Sequence, residues 1–587
     1  MSRKTFTVLF GGQAGYGIMS AGNLVAKAGG RNGLWAFQVN EYPSLIKGGL
    51  NTCLVRLSDQ PLQAYEEELD CLGALSQEAL DQNYNKLRPG ALVIYDKDVV
   101  KADMANIPAG VRLYPVKLIG LLPGDAAKVM ANSAMLGAFC AITGYPLAAI
   151  AAAMRSEFKK PAVQEQNIQL LETTFAAVGE EYGEERQKAF AFSLAPDKRK
   201  KMLINGNDAI SMGAIKAGVK FAAGYPMTPG SSVLTYLADH AEKFGLVFKQ
   251  AEDEIAAVNM LIGAGFAGAR AIAATSGGGF SLMVEALGFA AQAEVPIVIV
   301  NAQRGGPSTG LPTRTAQADL SFVVHASQGE FPRIVMAPGD VEECFFETVR
   351  VFNLAEKYQM PGIILTDKYL ADSALTHDYF DDVKVRVERG KLVDEEWLAG
   401  NQPYLRYRLT EDGVSPRAVP GQKGGRHIAT SYTHGEDGFY SSGNREYAAR
   451  EPEVTAAGLD KLFNKVPALL AEIPGIKLHG PAEAELTVIS WGSTKGAILE
   501  AMTELAAAGH NVNFLQILYP SPFPADAVSE VLEGCNKTLL IECNKTAQMG
   551  ALLRAHTGYA PDAVYLKYDS RPMVPSQIAA RIKEVIG

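Results

Sequence analysis

The chain has 587 residues, 48% apolar and 20% charged, with 57 glycines and a formal net charge of −9. That length exceeds what one hydrophobic core organises, so three or four domains are expected, and the apolar content excludes a disordered chain. The acidic balance, with no basic stripe against it, argues against nucleic-acid binding, and the short run Lys198-Arg199-Lys200-Lys201 reads as solvated linker. Six scattered cysteines without a C-x-x-C pair exclude an obvious iron–sulfur or zinc site built by this chain alone, so no metal ligand is assigned. The same cysteine usage fits a reducing cytoplasm.

Residues 5–10 read as a strand, without the charged leader and apolar core of a signal peptide. The strand runs into Gly11-Gly12-Gln13-Ala14-Gly15-Tyr16-Gly17 and an Ala-rich helix, an arrangement that aims backbone N–H groups at an anion. The spacing departs from G-x-G-x-x-G, and Glu41 precedes Tyr42-Pro43, so a phosphate-bearing ligand other than NAD is expected. The alternative is a glycine loop that serves only close helix–strand packing. Residues 129–154 carry no charge and are long enough to span a bilayer. Polar breaks at Asn132, Ser133 and Thr143, and the abundance of Ala, predict instead two buried helices joined at Gly144-Tyr145-Pro146, with no membrane span.

These features place one domain at 1–190 and a linker at 191–200. From 201 to 375 the pattern alternates. Met202-Leu203-Ile204 opens the domain; helices are expected at 207–217, 231–244, 254–268 and 281–293, and strands at 221–224, 271–275, 295–300 and 362–366. That is an α/β pattern with a parallel sheet. Residues 376–480 lose the periodicity and form a connection or subunit-contact region. The last segment, 481–587, returns to α/β, with strands at 486–490, 513–518 and 538–542, and helices at 494–508 and 578–586.

Three polar segments fall where such a sheet presents ligands. Ala223-Gly224-Tyr225-Pro226-Met227-Thr228-Pro229-Gly230-Ser231-Ser232 crowds two Pro, two Gly and three hydroxyls into one turn. Gly230 is expected to loosen it. Glu252-Asp253-Glu254 stands at a helix start, where the macrodipole favours acids for structural reasons alone. Gln303-Arg304-Gly305-Gly306-Pro307-Ser308-Thr309-Gly310-Leu311-Pro312-Thr313 follows an apolar run, and Arg304 offers a planar fork for a carboxylate or for a neighbouring acid.

Together with Ala274-Thr275-Ser276-Gly277-Gly278-Gly279-Phe280-Ser281-Leu282-Met283, these segments resemble the α subunit of the 2-oxoacid:ferredoxin oxidoreductases. The N-terminal segment resembles that family's γ subunit, through its glycine loop and Gly48-Gly49-Leu50-Asn51-Thr52-Cys53-Leu54-Val55-Arg56. A γ–α fusion is most similar to the 2-oxoglutarate enzyme. The resemblance implies a multi-domain α/β fold: a γ-type domain, a thiamine-diphosphate-enzyme pyrimidine-type domain and a transketolase C-terminal-like domain.

The resemblance also implies a cofactor shared between chains. No Gly-Asp-Gly occurs here, so a β subunit is expected to bring the diphosphate site, Mg²⁺ and the [4Fe-4S] cluster, in an α2β2 heterotetramer that reduces ferredoxin. Glu254, rather than Glu252, then meets the aminopyrimidine and favours the tautomer that takes the C2 proton. Tyr225, Pro226 and Phe280 line the cofactor, the alternative for Tyr225 and Phe280 being that they only pack the loops; Arg304 and Thr228 hold the 2-oxoacid with help from Thr313. Coenzyme A falls to the N-terminal loop, at Gly12, Gly15, Gly17 and Lys47, with Tyr42 nearby. The implied reaction is the CoA-dependent oxidative decarboxylation of 2-oxoglutarate to succinyl-CoA, chemically reversible. Pyruvate or branched-chain substrates, a non-catalytic CoA- or nucleotide-binding subunit, and an NAD-linked dehydrogenase on the first loop are the alternatives.

Overall fold

The alternation of apolar strands and small-residue helices resolves into three sheets in the computed structural model, which describes residues 5–45, 48–103, 107–122, 125–186, 189–195 and 201–587. Lys47 and Lys198 to Lys200 lie outside the described residues. The chain divides into two units, the first made of Met1–Asn205, Asp372–Tyr379 and Val574–Ser576, the second of the remainder.

In the first unit an eight-stranded sheet runs Arg112–Val116, Leu87–Asp96, Leu69–Ala74, Thr5–Gln13, Leu50–Ser58, Trp35–Glu41, Ala374–Asp378, Lys201–Ile204. The first four strands are parallel and the others pair antiparallel. Residues 202–204, expected to open the central domain, instead form this sheet's edge beside Ala374–Asp378. The charge-free stretch forms two helices, Ala131–Thr143 and Leu147–Glu157, with Gly144 left-handed between them at φ 79°. Every residue of the first is buried, which explains why it reads as apolar on all sides. Among the described residues no helix is long and apolar enough to cross a membrane.

The second unit holds two sheets. One is parallel throughout, in the order Ile334–Met336, Gly362–Asp367, Val298–Gln303, Ala271–Thr275, Phe221–Gly224, Val247–Gln250. The other runs Ile476–His479, Val512–Ile517, Leu486–Ser490, Thr538–Glu542, Ala563–Leu566, with only the first strand antiparallel. One apolar core joins them, with Phe280, Leu287 and Ile299 packed in the same cluster as Trp491, Leu515 and Leu540.

Residues 380–480 have little regular structure, and buried carboxylates hold them in place. Glu356, on the helix Val341–Tyr358, receives Arg270 at 2.8 Å, Arg389 at 2.7 Å and Arg417 at 2.6 Å. Glu294, just past the helix Gly277–Gln292, pairs with Lys461 and, at 2.6 Å, with Lys465. Glu343 binds Lys495 at 2.6 Å, Lys477 at 2.8 Å and Gln516 at 2.8 Å, pinning the third sheet to the same helix as Glu356. Such clusters add little net stability over apolar packing, but removing one partner strands a buried charge.

Burial opposes ionisation of Glu343, yet the charges of Lys495 and Lys477 outweigh it and hold its carboxyl below the usual glutamate range. A group depressed on folding stabilises fully above its unfolded value and loses that contribution as the pH falls. Thermal stability is therefore expected to drop as the pH is lowered below about 4.5, the ordinary glutamate range. Glu343→Gln is expected to cost about 3–5 kcal/mol at neutral pH and to flatten that acid limb. Scanning calorimetry across pH checks both; an unchanged acid limb in the variant contradicts the assignment.

Candidate active site

Four loops leave the parallel sheet at the C-terminal ends of adjacent strands. From Phe221–Gly224 the chain steps outward to Val247–Gln250, then crosses back to Ala271–Thr275 on the opposite side. The connectivity therefore reverses between Phe221–Gly224 and Ala271–Thr275, which makes the crevice at their C-terminal ends the expected ligand position in an open α/β sheet. Residues 225–230, 251–254, 276–279 and 304–319 all emerge along this edge.

Asp253 caps the helix Glu254–Phe266, accepting the Ala256 N–H at 2.7 Å, and this fixes the next side chain inward. Glu254 is only 2% exposed and accepts from the Thr275 hydroxyl at 3.4 Å. Its carboxylate occupies the space that a Cβ on Gly279 would need. The helix Gly277–Gln292 starts four residues earlier than the sequence pattern predicts and has no side-chain cap, because the Ser276 hydroxyl is turned away, buried and unpartnered. Its first-turn amides are thus open to an acceptor. Above Gly278 the nearest side chain is Met227, in ordinary van der Waals contact at 3.8 Å from an added Cβ, so the middle of this turn is less crowded than Gly277 and Gly279 on either side.

The turn at 225–230 is rigid. A Cβ on Gly230 would lie 2.5 Å from the Thr275 carbonyl oxygen, so the glycine does not loosen the loop but lets it press against the end of the neighbouring strand. Asn207, fully buried, donates to the Pro229 carbonyl at 2.8 Å and to Ser232 Oγ at 2.6 Å. From the other side Arg304 Nη1 donates to the Thr228 carbonyl at 2.8 Å, joining two of the predicted residues directly. Tyr225 and Pro226 are exposed at the rim and Thr228 is half-buried.

Residues 304–319 close the edge. Gly305 and Leu311 form a short antiparallel bridge whose tip is exposed, while Thr313 is buried beneath it. At the loop's end Gln317 exchanges backbone and side-chain hydrogen bonds with Cys543, at 2.8 and 3.0 Å, and donates to the Trp491 carbonyl at 3.0 Å. Asp319 follows, with its N–H on Gln303 Oε1 at 2.9 Å and its carboxylate receiving Asn301 Nδ2 at 3.3 Å. Burial raises the Asp319 carboxyl above the usual aspartate range, against the Asn301 hydrogen bond and the nearby charge of Arg304. Burial likewise lowers Arg304, and Asp319 opposes it.

Sequence reasoning missed Asn207, Asn301 and Asp319. The signal was available for one of them, since Asn301 interrupts an otherwise apolar strand. Phe280 is fully buried and its ring meets Phe322 edge-on at 5.4 Å, so it packs in the core beneath the loops.

In the first unit Gly11 and Gly12 belong to the strand Thr5–Gln13, and Cβ atoms there would collide with Ala79 and crowd Ile18 and Leu75. Gly15 is exposed, and Gly17, left-handed at φ 72°, starts the helix Ile18–Arg31 with no side-chain cap. The first half of the loop thus serves close packing, and in the second half Ala14 N–H donates to the Gly49 carbonyl and Tyr16 N–H to the Gln13 carbonyl, each at 3.2 Å. The Tyr42 hydroxyl donates to Asp372 at 3.1 Å. Among the described residues no group of three or more His, Cys, Asp or Glu is placed to hold a metal ion.

Three family descriptions match the chain in succession. They are "Pyruvate ferredoxin/flavodoxin oxidoreductase" over residues 7–177, "Pyruvate flavodoxin/ferredoxin oxidoreductase, thiamine diP-bdg" over 212–452, and "Pyruvate:ferredoxin oxidoreductase core domain II" over 484–564. A thiamine diphosphate-binding domain is thus present. The 2-oxoacid:ferredoxin oxidoreductase 2 subunit alpha of Aeropyrum pernix is 32% identical, over 99% of this chain and 97% of its own length. The 2-oxoglutarate synthase subunit KorA of Methanothermobacter thermautotrophicus is 37% identical, over 61% of this chain and 91% of its own. Among solved structures, the 2-oxoglutarate:ferredoxin oxidoreductase of Magnetococcus marinus, with 2-oxoglutarate, coenzyme A and succinyl-CoA bound, superposes with a TM-score of 0.89 at 34% identity, covering 100% of both chains. The chain belongs to the family of 2-oxoacid:ferredoxin oxidoreductase α subunits.

Proposed function

We propose that the crevice holds the aminopyrimidine half of thiamine diphosphate and that the chain acts on 2-oxoglutarate, converting it with CoA to succinyl-CoA and CO₂. The observation that carries this reading is Glu254, a buried carboxylate at an uncapped helix start, set at the crevice where the sheet's connectivity reverses. The residues fit the cofactor. Glu254 is an acceptor with one weak partner at 3.4 Å, Ser276 Oγ and Asn301 Oδ1 are buried polar atoms without partners, and Gly278, bordered by Met227, is the least crowded residue of the turn. A planar, polar heterocycle would satisfy these groups, which otherwise carry a desolvation cost.

When bound, thiamine diphosphate supplies a carbon nucleophile at C2 and a sink for the electrons left by decarboxylation. Glu254 holds the proton balance of the aminopyrimidine, with Thr275 orienting the carboxylate. Arg304 keeps one nitrogen on the Thr228 carbonyl, and its remaining donors receive the substrate's carboxylate. Thr228 and Tyr225 border the reacting face, Pro226 shapes the rim, and Phe280 and Thr313 support the loops from below. A β subunit would bring the diphosphate site, Mg²⁺ and a [4Fe-4S] cluster able to take up electrons singly for ferredoxin, in an α2β2 assembly of the cytoplasm.

In this reading residues 1–190 are the γ-type, CoA-contacting domain, 191–200 a linker, 201–375 the pyrimidine-binding domain, 376–480 the subunit-contact region and 481–587 the transketolase C-terminal-like domain. The uncapped start of the helix Ile18–Arg31 at Gly17, with Gly15 exposed beside it, supports a place for the CoA phosphates, with Gly12 packing beneath and Lys47 as an added cation. A cavity of about 700 Å³ between Ser20, Asn132, Phe158 and Leu170 supports room for the rest of that ligand.

Arg304→Ala is expected to cost about 2 kcal/mol or more of kcat/KM for the 2-oxoacid, the scale of a lost charged hydrogen bond. Steady-state kinetics of the complex check this, and wild-type values remove Arg304 from the substrate site. Purified alone, the chain is expected to carry no iron and to release no CO₂ from 2-oxoglutarate. Iron analysis and labelled-CO₂ release check it; either signal in the isolated subunit overturns the division between chains.

A further inference from the structure

Arg304 is oriented by a backbone carbonyl, and a single buried amide sets the turn that carries it. Asn207 lies in the first turn of the helix Gly206–Lys216 and is fully buried. A Cβ on Gly206 would lie 2.5 Å from the Leu370 carbonyl oxygen, so this helix start lies tight against the helix Lys368–Asp372. One turn further on, Ser211 Oγ donates to the Asn207 carbonyl at 2.8 Å. The Asn207 side chain therefore projects from a fixed backbone.

Its Nδ2 reaches two acceptors, the Pro229 carbonyl at 2.8 Å and Ser232 Oγ at 2.6 Å. A carbonyl only accepts, so the Pro229 contact decides which end of the amide faces the turn. Oδ1 is left buried without a partner, a desolvation cost that local stability does not account for. The Pro229 carbonyl stands next to the Thr228 carbonyl along the chain. Peptide units are planar and the proline ring fixes φ, so one soft dihedral, ψ of Pro229, separates the two. Holding the first carbonyl thus sets the direction of the second.

The Thr228 carbonyl receives Arg304 Nη1 at 2.8 Å. The guanidinium is a rigid planar fork, so fixing one of its nitrogens constrains where the others aim. Contacts run without a gap from Asn207 to Pro229, across one dihedral to Thr228, and on to Arg304. Among the described residues no hydrogen bond joins Asn207 to Glu254, whose acceptor contact is with Thr275.

We propose that Asn207 is a positioning residue for the 2-oxoacid, aiming the Arg304 guanidinium at the substrate's carboxylate through the Thr228-Pro229 backbone. This rests on the assignment of Arg304 to that carboxylate. Loss of the amide falls on capture of the 2-oxoacid, and leaves the proton balance at Glu254 and the CoA half-reaction alone.

The test is a double-mutant cycle in the enzyme assembled with its β subunit, read as KM for 2-oxoglutarate. Asn207→Ala is expected to raise that KM about tenfold, the scale of one lost hydrogen bond, with a smaller change in kcat. The value of kcat/KM for CoA is expected to stay unchanged. In an Arg304→Ala background the same substitution is expected to add no further increase, because residues that act through one contact are not additive. Equal factors in both backgrounds, or an unchanged KM in Asn207→Ala alone, overturn the proposal. If Asn207→Ala does not assemble, Asn207→Asp, of the same shape but without the two donors, is read by the same cycle. Arg304→Ala by itself separates the two levels. An unchanged KM there removes the substrate assignment and the proposal with it, whereas a raised KM there with an additive Asn207→Ala removes only the role of Asn207.

Discussion

The helix Gly277–Gln292 begins with three glycines and no side-chain cap, at the point where the parallel sheet reverses its connectivity. A helix start leaves amides without intrahelical partners, and its dipole favours negative charge. In an ordinary helix a Ser or Asp side chain would close that turn. Here Ser276 points elsewhere, and the absence of Cβ atoms at Gly277 and Gly279 makes room for the carboxylates of Asp319 and Glu254. One constraint thus places both acids, leaves Gly278 the least crowded residue of the turn, and sets the neighbouring loops around it.

Holding two acids and an arginine in a crevice requires a frame that does not yield. The turn at 225–230 is fixed from three directions, by Thr275 against Gly230, by Asn207 beneath and by Arg304 across. The loop at 304–319 is tied through Gln317 to Cys543 and Trp491, and the Asn544 and Gln548 side chains donate to the Gln317 and Ala318 carbonyls, so the C-terminal segment helps set the site's geometry. Further out, Glu294, Glu343 and Glu356 each gather two or three cations from segments distant in sequence. The irregular region 380–480, which has few hydrogen-bonded elements of its own, is fastened by these charges rather than by periodic packing.

Where chain pattern and local physics agree, the sequence was legible to the residue. The strands 221–224, 271–275, 486–490 and 538–542 fall where apolar runs end in polar turns. The loops carrying Thr228 and Arg304 were legible for the same reason, since Gly, Pro and hydroxyl residues cluster in both, and Glu254 was legible from the run of acids at a helix start. Short edge strands were not. Residues 201–204 and 374–378 are four and five residues long, and nothing local says that they pair with each other and with Trp35–Glu41. The role of Gly230 was not legible because it depends on the Thr275 backbone of a neighbouring strand, and the two readings of Phe280 could not be separated without the core around Phe322. Asp319 escaped notice because its importance comes from burial beside a helix start far away in sequence.

The central claim is that Glu254 governs the proton balance of the bound cofactor. Hydrogen–deuterium exchange at C2 of thiamine diphosphate, measured in the complex by quenched-flow proton NMR, isolates that step from substrate binding and electron transfer. With Glu254→Gln the exchange rate is expected to fall by about 10² or more, the usual contribution of a positioned acid–base group, while the cofactor stays bound. Exchange at the wild-type rate in that variant would contradict the account.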